Sequence, residues 1–340
     1  MERIRLGGIK IAEGRSHLVT ARAAGESALP EICGRLAAHR INLNHLASSL
    51  ADDHGDEAIS LSVDRADGFT SYFQIRALLG GSARVQLVED VSILAIFPHD
   101  KKPGVTGNLL AQLAAMSTPV HGLASTPAAM SFVAAAADTA RVIDGLFEAF
   151  TFPAYPSPFD WHAAYQGREQ LLREIICSYE EQVIKVYNVA QETDLDLWCL
   201  ELPVTDLSAL GAAFHDLEEA GIRLPFLVAV PTLKTPETLR LSCCLARSAK
   251  PRVSEILIQR FPNRDAANPY QARPAALFNL VGPHFGDRHG ITDALVNAMR
   301  NADIHPLAMS CAVHSISVVV PEPDLERTLQ AIAGPFDIPS

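Results

Sequence analysis

The sequence predicts an α+β fold built from four ferredoxin-like units of order βαββαβ, arranged as two tandem pairs. Three observations predict it. Residues 104–146 return at 290–332 with a constant offset of 186 residues (290 minus 104). Within each unit a short apolar strand is followed by an amphipathic helix and two more strands. Between the copies lies Thr151-Phe152-Pro153-Ala154-Tyr155-Pro156-Ser157-Pro158, a proline-dense stretch that reads as a stiff linker rather than an element interior.

The repeat is specific. Gly104-Val105-Thr106 answers Gly290-Ile291-Thr292, Asp138 answers Asp324, Arg141 answers Arg327, and Leu146 answers Ile332. Further upstream, Arg40-Ile41-Asn42-Leu43 answers Gly221-Ile222-Arg223-Leu224. The units are expected at 1–90, 91–152, 175–272 and 273–340, with 153–174 as linker.

Taken in order, strand 18–23 precedes a helix near 28–39 carrying Leu29, Ile32, Cys33 and Leu36 on one stripe. Strands follow at 42–48 and 58–63. A helix is expected near 105–117. In the second copy, strand 195–202 leads into a helix near 206–220 with Leu207, Leu210, Phe214 and Leu217 inward, then strands 224–230 and 239–245. Strand 277–281 ends in a glycine-rich loop. A helix near 291–303 follows, its stripe made by Ile291, Leu295, Ala298 and Met299. After strand-like residues 304–309 comes the β-branched run 313–320, with Ile316, Val318 and Val320 on one face. Pro321-Glu322-Pro323-Asp324 stops it and opens a helix near 324–333. The last strand of the unit is expected as an edge strand donated from elsewhere.

Composition narrows the function. The chain has 340 residues, 48% hydrophobic and 20% charged, with 39 acidic and 28 basic residues for a net charge of −11. That balance argues against nucleic acid and anionic membrane surfaces as partners. Six scattered cysteines make no disulfide framework and fit buried thiols in a reducing cytoplasm. The start of the chain lacks a signal-peptide pattern. The charge-free stretch 103–137 is broken by Asn108, Gln112, Pro119, His121 and Pro127, so it reads as helix, turn and strand rather than a membrane span.

The last unit, from Gly282-Pro283 through His289-Gly290-Ile291, Asn301-Ala302-Asp303-Ile304 and Ser315-Ile316-Ser317-Val318-Val319-Val320, resembles the second ACT domain of aspartokinases. Lys102-Pro103-Gly104-Val105 is similar to the same loop, and Ile41-Asn42-Leu43-Asn44-His45-Leu46 resembles the family's first ACT domain. The third unit departs from the pattern, since no glycine-rich loop precedes its helix. The resemblance implies tandem ACT units that sense a free amino acid of the aspartate family, such as Lys or Thr. The family's kinase domain opens with Lys-Phe-Gly-Gly-Thr/Ser. Here Gly7-Gly8 and Gly80-Gly81-Ser82 are only fragments of such a motif, and four units fill the chain. The expectation is therefore a chain that is not an enzyme and acts on a partner such as an aspartokinase. A ligand-free assembly module and an aspartokinase-like enzyme are the alternatives, and a homodimer is a further possible assembly.

The candidate ligand residues follow from chemistry. A helix N-terminus offers free N–H groups and a positive dipole end to a carboxylate. In the last unit that place is Gly290, Ile291 and Thr292, with Asp287 as partner for the ligand's ammonium. In the second unit it is Gly104, Val105 and Thr106, with Asp100. Asn42 and Asn44 alternate on their expected strand and share a face, where they meet either a ligand or solvent. His284 and His289 lack a third ligand at metal spacing, so neither metal nor cofactor is expected. No Gly-x-Ser-x-Gly elbow supports a catalytic triad. Finally, the two halves are expected to pack as a pseudo-dimer, with loops 98–105 and 282–291 in related positions.

Overall fold

Strands β2 (Gly8–Arg22) and β5 (Arg84–Phe97) form a long antiparallel ribbon, from the pair Gly8–Phe97 to the pair Ala21–Arg84. Both are too long for a single small unit, and each serves two. The second part of β2 pairs with β4 (Glu57–Asp64), and the second part of β5 pairs with β7 (Met130–Ala135). A register shift between Ala12 and Arg15, with Gly14 at φ 66°, marks where the ribbon changes company. The computed structural model describes residues 3–22, 27–50, 57–127, 129–165, 184–235, 237–262, 271–283, 285, 288–312 and 315–338.

Adding β3 (His45–Leu50) and β6 (Gly122–Ser125) gives a six-stranded sheet of order β3-β4-β2-β5-β7-β6. The second half repeats it as β11-β12-β10-β13-β15-β14. The elements are β10 (Asn188–Pro203), β11 (Phe226–Pro231), β12 (Thr238–Ala246), β13 (Gln271–Val281), β14 (Ala308–Ala312) and β15 (Ser315–Pro321). The sheets meet at both ends. β3 pairs with β14 from His45–Ala312 to Ser49–Ala308, and β6 pairs with β11 at Leu123–Ala229 and Ala124–Val228. The result is a closed antiparallel barrel of twelve strands, which leaves no free sheet edge on it. The architecture is mixed α+β with one large antiparallel sheet.

Helices lie in two outer layers. One holds α1 (Leu29–Ala38), α2 (Gly68–Leu79), α8 (Ile291–Asn301) and α9 (Leu325–Ile332), packed over Leu46, Ile59, Phe278 and Val318. The other holds α3 (Pro103–Ala115), α4 (Thr139–Ala149), α6 (Leu207–Glu219) and α7 (Lys250–Arg260), packed over Leu94, Phe132, Trp198 and Leu227. Across the halves, α1 packs on α8 and α3 on α6. The halves are thus joined twice, by strands and by helices, as expected of a pseudo-dimer.

Short parallel pairs complete each half: β1 (Ile4–Arg5) with β8 (Phe150–Thr151), and β9 (Ile184–Lys185) with β16 (Phe336–Asp337). Part of the expected linker at 153–174 is itself helical. Helix α5 (Pro158–Tyr165) buries Trp161, whose Nε1–H donates to Ile9 O at 3.4 Å, and Tyr165 stacks on that indole.

Some strand limits differ from expectation. Asn42 and Asn44 precede β3 and lie in the loop after α1, so their alternation does not place them on a strand face. That loop is held by the Asn44 N–H to Ser62 O at 2.9 Å and by Ile41 N–H to Leu36 O at 2.9 Å, bonds that delay strand pairing until His45. Likewise β14 starts at Ala308 rather than 304, because Ile304 N–H closes the end of α8 onto Met299 O at 3.0 Å.

Candidate functional site

The two joins between the halves are related by the internal repeat, and their differences locate the site. At the first join, the C-terminal turn of α1, the loop after it and the start of α8 enclose a cleft of about 250 Å³ counted out to solvent. Its interior has room for about one water molecule. Asn42 lines it from the first half, and Gly290, Thr292 and Asp293 line it from the second. Ala37 and Arg288 complete the rim. Gly290 sits at φ 83°, the left-handed region that suits glycine, and brings no side chain of its own to cap α8.

The expected residues divide as follows. Gly290 and Thr292 meet Asn42 in the cleft, although they are about 250 positions apart in sequence. Ile291 is buried in the core, so only its backbone faces the helix end. The Cys311 thiol, whose pKa burial pushes up to about 12, donates to Phe285 O at 3.9 Å beside the cleft. Asn44 is not part of the cleft; its Oδ1 is buried without a protein partner among the described residues. Asp287 lies outside the described residues. Asp293, which sequence reasoning passed over, supplies a carboxyl group here. Burial raises its pKa, and the Asn297 amide N–H and the nearby Arg300 oppose that.

The second set gathers at the other join. Asp100 is exposed at φ 51°. Val105 and Thr106 turn into the core, where the Thr106 hydroxyl reaches Met130 Sδ at 3.8 Å. The Gly104 N–H donates to the carboxylate of Glu218, at the end of α6. The start of α3 thus already holds a carboxylate, supplied by the chain itself. Next to it Leu224 N–H donates to Lys101 O at 2.9 Å, and Lys101 pairs with Glu192.

The repeat explains the contrast. An offset of 181 residues (222 minus 41) sets Glu218 opposite Ala37 and His215 opposite Gly34, and the offset of 186 sets Gly107 opposite Asp293. A Cβ on Gly34 would lie 3.3 Å from Asp293 Oδ1, and a Cβ on Gly107 would lie 2.9 Å from the His215 ring. Large and small residues have exchanged sides between the joins. Where Glu218 fills one, Ala37 leaves the other open.

Inside the barrel the surroundings are partly polar. His17 and His45 are fully buried, with ring centroids 6.2 Å apart. His17 Nε2–H donates to His121 O at 2.8 Å, so its Nδ1 accepts from the Ser62 hydroxyl at 2.8 Å. Burial first, and then His45 and His121, hold the His17 pKa well below the ordinary value. Burial lowers that of His45 to about 4. Among the described residues no three His, Cys, Asp or Glu side chains converge as for a metal, and no helix is long and apolar enough to cross a membrane.

No family model matches the chain, and no curated protein matches its sequence. Solved structures do. An aspartate kinase from Synechocystis superposes with a TM-score of 0.77 at 15% identity, covering 98% of this chain and 57% of its own. The regulatory subunit of aspartate kinase from Thermus flavus covers 43% of this chain at a TM-score of 0.39 and 12% identity, with 99% of its own length matched. The aspartate kinase of Clostridium acetobutylicum covers 47% at a TM-score of 0.39 and 14% identity, over 37% of its length. The chain therefore shares its fold with an aspartate kinase across nearly its whole length, while spanning little more than half of that protein. This corrects the expectation of a non-enzyme. That expectation rested on absent motifs, which test one way of holding a nucleotide, and on four units filling the chain, and the match of 98% of the chain within an enzyme overturns it.

Proposed function

We propose that this chain works as the amino-acid-responsive part of an aspartate-kinase-like enzyme. In this reading it comprises four ACT-type units, two tandem pairs with limits near 90, 152, 175 and 272, acting in the cytoplasm. An aspartate-family amino acid, lysine or threonine, binds at the cleft between α1 and α8. Its carboxylate lies on the N–H groups of Gly290, Ile291 and Thr292, and Asn42 contacts it from the other half. Its ammonium is met by Asp287 or Asp293. The Asp100, Gly104, Val105 and Thr106 set has the same chemistry but holds Glu218 instead.

The single observation that carries this reading is the Glu218 carboxylate on the Gly104 N–H. It supports the idea that this helix start, in this fold, accepts a carboxylate. At the repeated position the side chain is only Ala37. A ligand there would bridge the halves, favour one packing of α1 on α8, and bias whatever catalytic unit reads that packing. The narrowness of the cleft favours a second reading, an assembly role without ligand. Calorimetry with lysine, threonine and the other standard amino acids decides between them. Saturable binding in the wild type that is lost in Ala37→Glu, with the fold kept by circular dichroism, is the expected result. Absence of binding by every amino acid would leave the assembly role. Aspartyl phosphate formation from ATP and aspartate, measured as the amino acid is titrated, tests the link to kinase activity.

A further inference from the structure

The two strand seams that close the barrel should be equivalent by the repeat, and they are not. The β3–β14 seam runs over five residue pairs and is closed beyond them by Leu50 N–H to Leu307 O at 3.0 Å. The β6–β11 seam has two pairs. The cause is local. The offsets of 181 and 186 place Pro231 at the position of Leu50 and His121 at that of Leu307. Proline has no N–H to give, so the closing bond cannot form. The His121 carbonyl is taken instead by His17 Nε2–H, from the barrel interior. Gly122 suits this crowded place, since a Cβ there would lie 2.5 Å from Ser60 Oγ and 3.3 Å from the His17 ring.

Where the strands part, a cavity of about 710 Å³ opens between the halves. That size falls in the range of small-molecule sites. Apolar side chains such as Val19, Leu113 and Leu239 make part of its wall, and Thr118, Thr205 and Gln86 supply hydroxyl and amide groups. Among the described residues the lining contains no Lys or Arg, and Arg84 reaches only its edge, at the Leu233 carbonyl. Its one acid, Glu237, is exposed at the edge. Burial lowers the pKa of His121, which keeps the imidazole neutral near pH 7. The inner wall offers an anion neutral donors but no cation, and burying an unpaired charge against it would be costly.

We infer that this cavity is a binding site for a neutral, amphipathic small molecule carrying amide-like donor and acceptor groups on an apolar body. The hydroxyls of Thr118 and Thr205 and the Gln86 amide can pair with the amide groups of such a ligand, and the apolar wall takes its body. The site is separate from the α1–α8 cleft and independent of the function proposed for it.

The test uses two probes that differ at one end: N-acetyl-leucine N-methylamide, which is neutral, and N-acetyl-leucine, which carries an anionic carboxylate in place of the methylamide. Titrations are followed by backbone NMR shifts of residues 117–123 and 230–239. The amide is expected to bind, with the anion at least tenfold weaker. Two variants bear on the site from different directions. Gln86→Trp fills the cavity from its exposed edge, and Pro231→Leu restores the N–H that would close the seam. Each is expected to weaken amide binding at least tenfold, and the new amide at residue 231 in Pro231→Leu should be protected from exchange. Equal affinity for both probes, no binding of either, or amide binding that persists in both folded variants would overturn the assignment.

Discussion

Glu218→Ala removes the carboxylate that the chain places on the start of α3. The Gly104 N–H then loses its acceptor, and the positive end of the α3 dipole loses its counter-charge. Loss of a comparable side-chain cap costs about 1 kcal/mol. The dipole term, screened because Glu218 is exposed, adds about 0.3 kcal/mol or less. A cost of about 1 kcal/mol corresponds to a fivefold larger open population for the first turn of α3. Hydrogen exchange read by mass spectrometry is the suitable assay, because it resolves peptides at 100–110 from the rest of the barrel. Exchange there should rise about fivefold in Glu218→Ala and less in Glu218→Gln, whose side-chain oxygen can still accept. Exchange in α8 should not change. If the α3 peptide of Glu218→Ala exchanged as in the wild type, the carboxylate would be ornamental, and the argument from it to the α8 cleft would fail.

Other perturbations test the frame around the cleft. Stability should fall with acidity through the buried histidines. The folded pKa of His45 is lowered to about 4, so its contribution is complete above the unfolded value near 6.5 and is lost as pH drops toward 4. That loss is about 3 kcal/mol at most, and urea midpoints at pH 7.5, 5.5 and 4.5 should show it, with a shallower slope in His45→Gln. Gly107→Ala should cost about 1–3 kcal/mol, since its Cβ would lie 2.8 Å from Gly211 O at the crossing of α3 and α6. Thermal unfolding measures this, and an unchanged midpoint would mean that the crossing is loose. Phe285→Ala, at a residue 2% exposed beside the cleft, should cost about 3–5 kcal/mol and widen the opening. A variant as stable as wild type would show that Phe285 does not pack there.

Much of the fold was legible because it was written twice. The stripe Ile291, Leu295 and Met299 gave α8 its limits within two residues, and the Leu207, Leu210, Phe214 and Leu217 stripe did the same for α6. Helix α2 carries no such signal. Phe69 and Phe73 are exposed on it while Gly68 and Ser71 are buried, the reverse of the usual pattern. Joining loop to loop across the halves was harder. Asn42 could be suspected from its residue type, yet its meeting with Gly290 depends on how two sheets close. The repeat did contain the missing clue. Setting Glu218 beside Ala37 needs only the offset already visible at Ile41 and Ile222. What the sequence could not supply was that residue 218 faces residue 104.

Two sheets of the same strand order within one chain have a physical consequence that a symmetric dimer cannot reach. In a homodimer with twofold symmetry each contact appears twice, so a substitution changes both joins alike. Here the equivalents of one surface are separate stretches of a single chain, free to diverge. One join has gained Glu218 on Gly104, and the other keeps Ala37 beside Gly290. One seam ends in Leu50, whose N–H closes it, and the other ends in Pro231, which cannot. The two departures fall at the same join, that of α3 with α6 and β6 with β11. That join is fastened by its own carboxylate at the helix layer and opened at the strand layer. The join of α1 with α8 is the reverse, zipped along its strands and open at its helix start. A ligand in the α1–α8 cleft would therefore act against a closed seam, so its binding energy would go into shifting helices rather than strands.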